Sequence, residues 1–229
     1  MNYLFRTKTD GYIFPMMSRV HIIVLLILFA GLLILKNKHK NYKKILIVSL
    51  VIEQIMLYSW YFFIKGFNPR EALPLYSCRI AVIVILLALP FRSDIMKLFG
   101  SYLGFPGGVI AILFPVIESY SYPHITNFIY FIGHISLAWL SFCYLIELKA
   151  DRSKLKTIFL YSHIYLIIAY SADKLIDSNY AYLNWSPIFT GFFDKFNKIV
   201  YLFIVYSIYL VILFMTYLIN KKIAIDQED

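Results

Sequence analysis

The sequence predicts an all-α, polytopic membrane protein. It reads as a single transmembrane domain over residues 1–229 with seven transmembrane helices, the N-terminus outside and the C-terminus inside. Three observations lead there. The chain is 61% hydrophobic and only 15% charged, where a soluble domain carries about 25% charge. Its apolar residues fall in runs close to the ~20 residues that a helix needs to cross a bilayer. Its lysines and arginines collect in alternate gaps between those runs, as cytoplasmic loops do.

The runs are Val20–Leu35, Ile45–Ile64, Leu73–Leu89, Ile95–Ile117, Ile125–Leu145, Leu155–Tyr170 and Ile199–Ile219. The first is followed by a basic stretch holding Lys36, Lys38, Lys40, Lys43 and Lys44. The third is followed by Arg92 and Lys97, the fifth by Lys149, Arg152, Lys154 and Lys156, and the seventh by Lys221 and Lys222. The remaining gaps are poorer in positive charge. Lys65 and Arg70 share theirs with Glu71, Glu118 stands without a base, and residues 171–198 mix lysines with Asp173, Asp177 and Asp194. The positive-inside rule then sets the orientation and requires an odd number of crossings. In the fourth run Gly104-Phe-Pro-Gly-Gly108 reads as a break or kink; small residues there also permit close helix packing. The start of the chain lacks the apolar core and cleavage site of a signal peptide. The expected location is the cell membrane, multi-pass.

With lysine and arginine so placed, the net charge of +9 reads as topogenic, and no nucleic-acid partner is expected. No Walker-type loop, H-E-x-x-H or C-x-x-C motif occurs, so neither a cofactor nor a metal is expected. The polar residues inside the runs are the informative ones, because a polar group in a spanning helix is costly and turns to the bundle interior. They are His21, Glu53, Gln54, Cys78, Arg79, His134 and His163. Each has a plainer reading: a buried cysteine is a small hydrophobe, an arginine near the interface snorkels, and Glu53 or His163 can bond a neighbouring helix. His21, Cys78 and His134 fall at similar depths in the outer half. A cysteine beside a histidine has a defined chemistry, in which the imidazole takes the thiol proton and the thiolate attacks an ester. Arg79 could hold a phosphate or an oxyanion. Intramembrane His, Glu and Arg equally mark the path of a transported small molecule, which is the alternative from another class. Cys143 reads as packing, and no disulfide is expected between two cysteines that both lie in apolar runs.

Several segments, in order, carry a resemblance. Leu73-Pro-Leu-Tyr-Ser-Cys-Arg79, Gly107-Gly-Val-Ile-Ala-Ile-Leu-Phe-Pro115, Phe131-Ile-Gly-His134 and Asn179-Tyr-Ala-Tyr-Leu183 followed by Pro187 resemble the conserved stretches of the YwaF-like bacterial membrane proteins, with His21 after Phe14 as the early histidine. That family is similar to the eukaryotic transmembrane protein 164 group, regarded as phospholipid acyltransferases. The resemblance implies a membrane phospholipid substrate, Cys78 as the acyl-accepting nucleophile and His134 as its base. His21, Arg79, Glu53 and Asn179 are then expected around the substrate. Tyr76 stands where the family carries a histidine.

Overall fold

The computed structural model describes residues 3–225. Its long helices are α1 (Arg19–Ser59), continued by a π-helical turn Trp60–Lys65, α3 (Ser77–Ala88), α4 (Asp94–Leu113), α5 (Ile125–Glu147), α6 (Arg152–Ile176) and α8 (Lys198–Ile225). Two four-residue helices, α2 (Pro69–Ala72) and α7 (Thr190–Phe193), sit in the connections. No strand occurs among the described residues. Side-chain oxygens or a ring nitrogen start the long helices where the sequence supplies them. Ser18 accepts from the His21 amide, Ser93 from Met96, His124 from Thr126 and Asp151 from Lys154, satisfying donors that have no intrahelical partner.

Five helical runs are long and apolar enough to cross a membrane: Arg19–Lys65, Asp94–Leu113, Ile125–Glu147, Arg152–Ile176 and Lys198–Ile223. This differs from the seven predicted runs in two places. The third run forms only the 12-residue α3, because Pro74 and the extended residue Tyr76 hold the chain before Ser77 out of the helix. The first two runs merge into one 47-residue stretch, which drawn straight would span about 70 Å against a hydrocarbon core of ~30 Å.

That stretch folds back on itself. Trp139 Nε1 donates to the Leu28 carbonyl (3.0 Å), Lys43 pairs with Glu147 (2.6 Å) and Ser49 meets Ser136 (2.9 Å). The Glu53 side chain abuts Gly133 and Trp60 reaches His124. Partners on α5 thus rise in number from Trp139 to Glu147 across Lys38 and fall again along the second limb of α1. The reversal falls at Lys38, whose dihedrals (φ −126°, ψ 17°) leave the helical region.

The turn at Lys38, the α3–α4 turn, the α5–α6 turn and the C-terminal part of α8 share one end of the bundle, here the basic end. There Asn220 of α8, fully buried, donates to the Leu145 and Leu148 carbonyls and accepts from the Ala150 amide and the Tyr102 hydroxyl. The opposite, loop end carries residues 3–18, 66–76, 114–124 and 177–197. Arg6 binds the Ser121 carbonyl (2.6 Å) and Asp10 (2.9 Å), and Asp10 binds the Ser121 hydroxyl and amide. These contacts strap the N-terminal segment over residues 118–124.

The anticipated break at Gly104–Gly108 is absent. α4 runs through Pro106 from Asp94 to Leu113, and the glycines serve contact instead. A methyl group on Gly108 would lie 2.7 Å from the His134 carbonyl oxygen and 3.0 Å from Ala138 of α5. Small residues permit this helix-to-helix approach, which brings α5 against the part of α4 that also meets α3.

Candidate functional site

Between α1, α3, α4, α5, α8 and the 179–189 loop lies a cavity of ≈740 Å³ lined by Glu53, Arg79, Cys78, His134 and Asn179 among others. Four of these come from separate helices or loops, so the fold gathers what the sequence scatters.

Cys78 owes its place to the segment before α3. The Tyr180 hydroxyl donates to the Pro69 carbonyl (2.5 Å) and accepts from the Leu73 amide (3.0 Å), and the Tyr165 hydroxyl donates to the Leu75 carbonyl (3.0 Å). α3 then begins at Ser77, and Cys78 falls in its first turn, where backbone N–H groups lack intrahelical partners and the helix dipole is positive. Across from it, a methyl group on Gly107 would lie 3.0 Å from Cys78 Sγ. The thiol therefore rests on the glycine face of α4.

His134 sits on α5 one residue beyond Gly133. Its Nδ1 lies 2.7 Å from the Tyr130 carbonyl oxygen. A carbonyl only accepts, so Nδ1 carries the proton and the neutral ring keeps an open lone pair on Nε2. Its backbone carbonyl faces Gly108 while the Cys78 thiol faces Gly107, so the His134 backbone and the Cys78 side chain meet neighbouring residues of α4. The Tyr130 hydroxyl accepts from the Val116 amide (3.1 Å) and donates to the Ala111 carbonyl (2.8 Å), closing the end of α4 over the site.

Charge is balanced around the cavity. Arg79 donates to the Glu71 carbonyl (2.6 Å) and the Tyr61 hydroxyl (2.9 Å). Tyr61 donates to Glu118 (3.3 Å), and Lys65 binds both Glu71 (2.7 Å) and Glu118 (3.3 Å). The guanidinium lies within electrostatic reach of Glu53, Cys78 and His134. Glu53 is buried against Gly133 and accepts from the Gln54 amide (2.6 Å).

Two anticipated substrate contacts are placed differently. His21 lies outside the cavity lining. Its Nε2 is 2.7 Å from the Ile112 carbonyl and its Nδ1 accepts from the Met17 amide, so both nitrogens tie the start of α1 to the end of α4. His21 therefore meets α4 at Ile112, about 8 Å along the helix from the Gly107 that Cys78 touches. Asn179 does line the cavity, but its amide serves the loop: Oδ1 accepts from the Asn184 and Trp185 amides and Nδ2 donates to the Trp185 carbonyl. The loop it clamps holds Ala181 and Tyr182 at positive φ (51° and 56°), a conformation costly for residues other than glycine. The Tyr201 hydroxyl holds the Tyr182 carbonyl in place (2.5 Å).

His163, on α6, donates from Nδ1 to the Phe159 carbonyl and bonds the Tyr206 hydroxyl of α8, away from the site. Cys143 is buried in the core and both cysteines are free. Sequence reasoning missed the tyrosines. Besides Tyr76, noted already where the family carries a histidine, Tyr61, Tyr102, Tyr130, Tyr182, Tyr201 and Tyr209 line the cavity, and the available signal was the count of 20 in this chain. Among the described residues no group of three or more His, Cys, Asp or Glu gathers as a metal site requires.

Apolar helices of spanning length, folded around a cavity lined by a thiol, an imidazole and charged groups, define a polytopic helical membrane protein with a polar site between its helices. The TMEM164 family profile matches residues 4–218, so the chain belongs to that family, in agreement with the relation read from its motifs. No curated protein and no solved structure matches it.

Proposed function

We propose that the protein is a membrane-embedded phospholipid acyltransferase or transacylase working through Cys78 and His134. One observation carries the reading: the His134 ring, protonated at Nδ1 by its bond to the Tyr130 carbonyl, keeps an unprotonated Nε2, and His134 and Cys78 line one cavity. His134 takes the thiol proton and the Cys78 thiolate attacks the ester carbonyl of a phospholipid. The C–O bond breaks, the leaving lysolipid oxygen takes the proton from His134, and an acyl-thioester remains. An acceptor hydroxyl then gives its proton to His134 and attacks the thioester. The C–S bond breaks and the thiolate recovers the proton. Arg79 stabilises developing negative charge or a phosphate, Glu53 balances it, Asn179 shapes the wall of the cavity, and His21 supports the site by fixing the end of α4.

The reading includes seven crossings of the cell membrane, counting the two limbs of α1 and α3 separately. The basic end faces the cytoplasm, with the N-terminus outside and the C-terminus inside. It also includes a place among the bacterial YwaF-like proteins. The fold-back of α1 on α5 and the clustering of lysines at one end support this topology.

The test is acyl transfer by purified protein in liposomes carrying phospholipid with a labelled chain. Wild type acquires hydroxylamine-sensitive label. Cys78→Ala and His134→Ala each lose transfer while remaining monodisperse. Wild-type turnover in either variant refutes the mechanism. The second reading, a small-molecule transporter or substrate-binding subunit, draws on a cavity that bears both signs of charge. It calls for stoichiometric ligand binding that survives Cys78→Ser.

A further inference from the structure

Resting on the acyl-transfer reading, we infer that the crevice between α4 and α8 is a lateral portal, through which a phospholipid lying in the bilayer presents its ester to Cys78. The two helices run in opposite directions. At the basic end the Tyr102 hydroxyl donates to Asn220 Oδ1, the one hydrogen bond between α4 and α8 among the described residues. From that bond toward the loop end the helices line the cavity at matched levels. Ile110 stands eight residues beyond Tyr102 and Ile212 eight residues before Asn220, so each lies about 12 Å along its helix from the bond. Phe114 and Ile208 follow at twelve residues on each side, about 18 Å from it. All four line the cavity. Ile110, Phe114 and Ile212 are partly exposed, and Ile208 is 42% exposed. At the loop end the Phe114 ring meets that of Phe189, with 5.3 Å between centroids, and this contact bounds the crevice there.

The crevice leads to the thiol. Gly107, three residues before Ile110 on the cavity side of α4, touches Cys78 Sγ, and Cys78 is itself only partly buried. Outside the crevice the medium is acyl chain. Both helices are of spanning length, and Val211, Phe214 and Met215 of α8 are exposed and apolar. An apolar gap open to the bilayer at that depth takes up lipid rather than water. The tails can stay in the bilayer while the ester passes between Ile110 and Ile212. A second opening is aqueous: the cavity lining reaches the loop end at Ser119 and Trp185, both exposed. A water-soluble reagent and a bilayer lipid therefore approach Cys78 from different sides.

The experiment uses the full-length protein in liposomes with two probes: a phospholipid carrying a labelled chain, and iodoacetamide added in the water to report on the Cys78 thiol alone. Ile110→Trp and Ile212→Trp fill the crevice from opposite helices, so a variant that fails to fold leaves the other to decide. Each is expected to lose most of the hydroxylamine-sensitive acylation while Cys78 is alkylated at the wild-type rate. Val211→Trp, on the exposed face of α8, is the control and is expected to change neither reaction. Wild-type acylation in the crevice variants, an equal loss in Val211→Trp, or a parallel loss of acylation and alkylation overturns this inference and leaves the acyl-transfer reading standing. Absence of acyl label from wild type overturns the acyl-transfer reading and this inference with it.

Discussion

Gly107→Ala separates site geometry from packing. The added methyl would sit 3.0 Å from Cys78 Sγ, closer than carbon and sulfur ordinarily approach. Sγ ends a flexible side chain, so it yields by rotation rather than by helix displacement, and stability changes by less than about 1 kcal/mol. The thiol then sits about half an ångström from its working position. A 1 Å misplacement costs on the order of 100-fold in rate, so roughly tenfold is expected here, about 1.4 kcal/mol of barrier. The neighbouring substitution Gly108→Ala meets backbone instead: its methyl would lie 2.7 Å from the His134 carbonyl, and helices must part at a cost of about 1–3 kcal/mol. Gly191→Ala, with open space around it, is the control. Thermal unfolding in detergent and single-turnover acylation in liposomes read the two effects apart. Gly107→Ala with unaltered acylation would refute the placement of Sγ against α4. Loss of stability equal to that of Gly108→Ala would refute the claim that the thiol can yield.

Two further outcomes are expected. Asn220→Leu removes the partner of the Leu145, Leu148 and Ala150 backbone groups and of the Tyr102 hydroxyl; each orphaned buried group costs about 1–3 kcal/mol, so thermal unfolding should shift down by far more than for an exposed asparagine, and a shift within error would remove Asn220 as the basic-end anchor. The N-terminal strap is expected to loosen in acid. The Ser121 hydroxyl and amide, with Arg6, hold the Asp10 carboxyl below the usual carboxylate range, and burial holds the His124 ring, bonded to the Arg6 carbonyl, below the usual histidine value of 6.5. In both, the unfolded chain binds the proton more tightly, so the contribution is complete above the unfolded value and fades as pH falls: first for His124 below about 6.5, then for Asp10 below about 4. Amide protection at residues 7–12, relative to the intrinsic exchange rate at each pH, should fall over that range, and unchanged protection would count against it.

Much of the fold and part of the site are legible in the sequence, for physical reasons that differ by residue. Apolar runs and the spacing of lysines report on bilayer thickness and topology, which act on local stretches of chain. Cys78, Arg79, Glu53 and His134 stand out because a polar side chain in such a run is conspicuous, and they do line one cavity. Other features depend on distant partners. The basic stretch from Lys36 to Lys44 announces a turn between the first two runs, and the chain leaves the helical region at Lys38 with neither glycine nor proline to mark the spot. Gly104 and Gly108 carry both meanings, break and contact, until α5 is placed against them. His21 looks like a site residue until the Ile112 carbonyl claims its Nε2, and Asn179 until the Asn184 and Trp185 amides claim its oxygen. Tyrosines are unremarkable in apolar sequence, and only the packed helices bring seven of them to one cavity.

The hairpin of α1 leans with both limbs on α5, and this sets an order of assembly at the ribosome. Glu53 meets Gly133 only after about 80 more residues are made, a wait of roughly 4–16 s at typical bacterial and eukaryotic elongation speeds. During that interval its carboxyl has one partner furnished by its immediate neighbour, the Gln54 amide. The Gln54 amide is thus a partner for the buried carboxyl that does not depend on the arrival of α5.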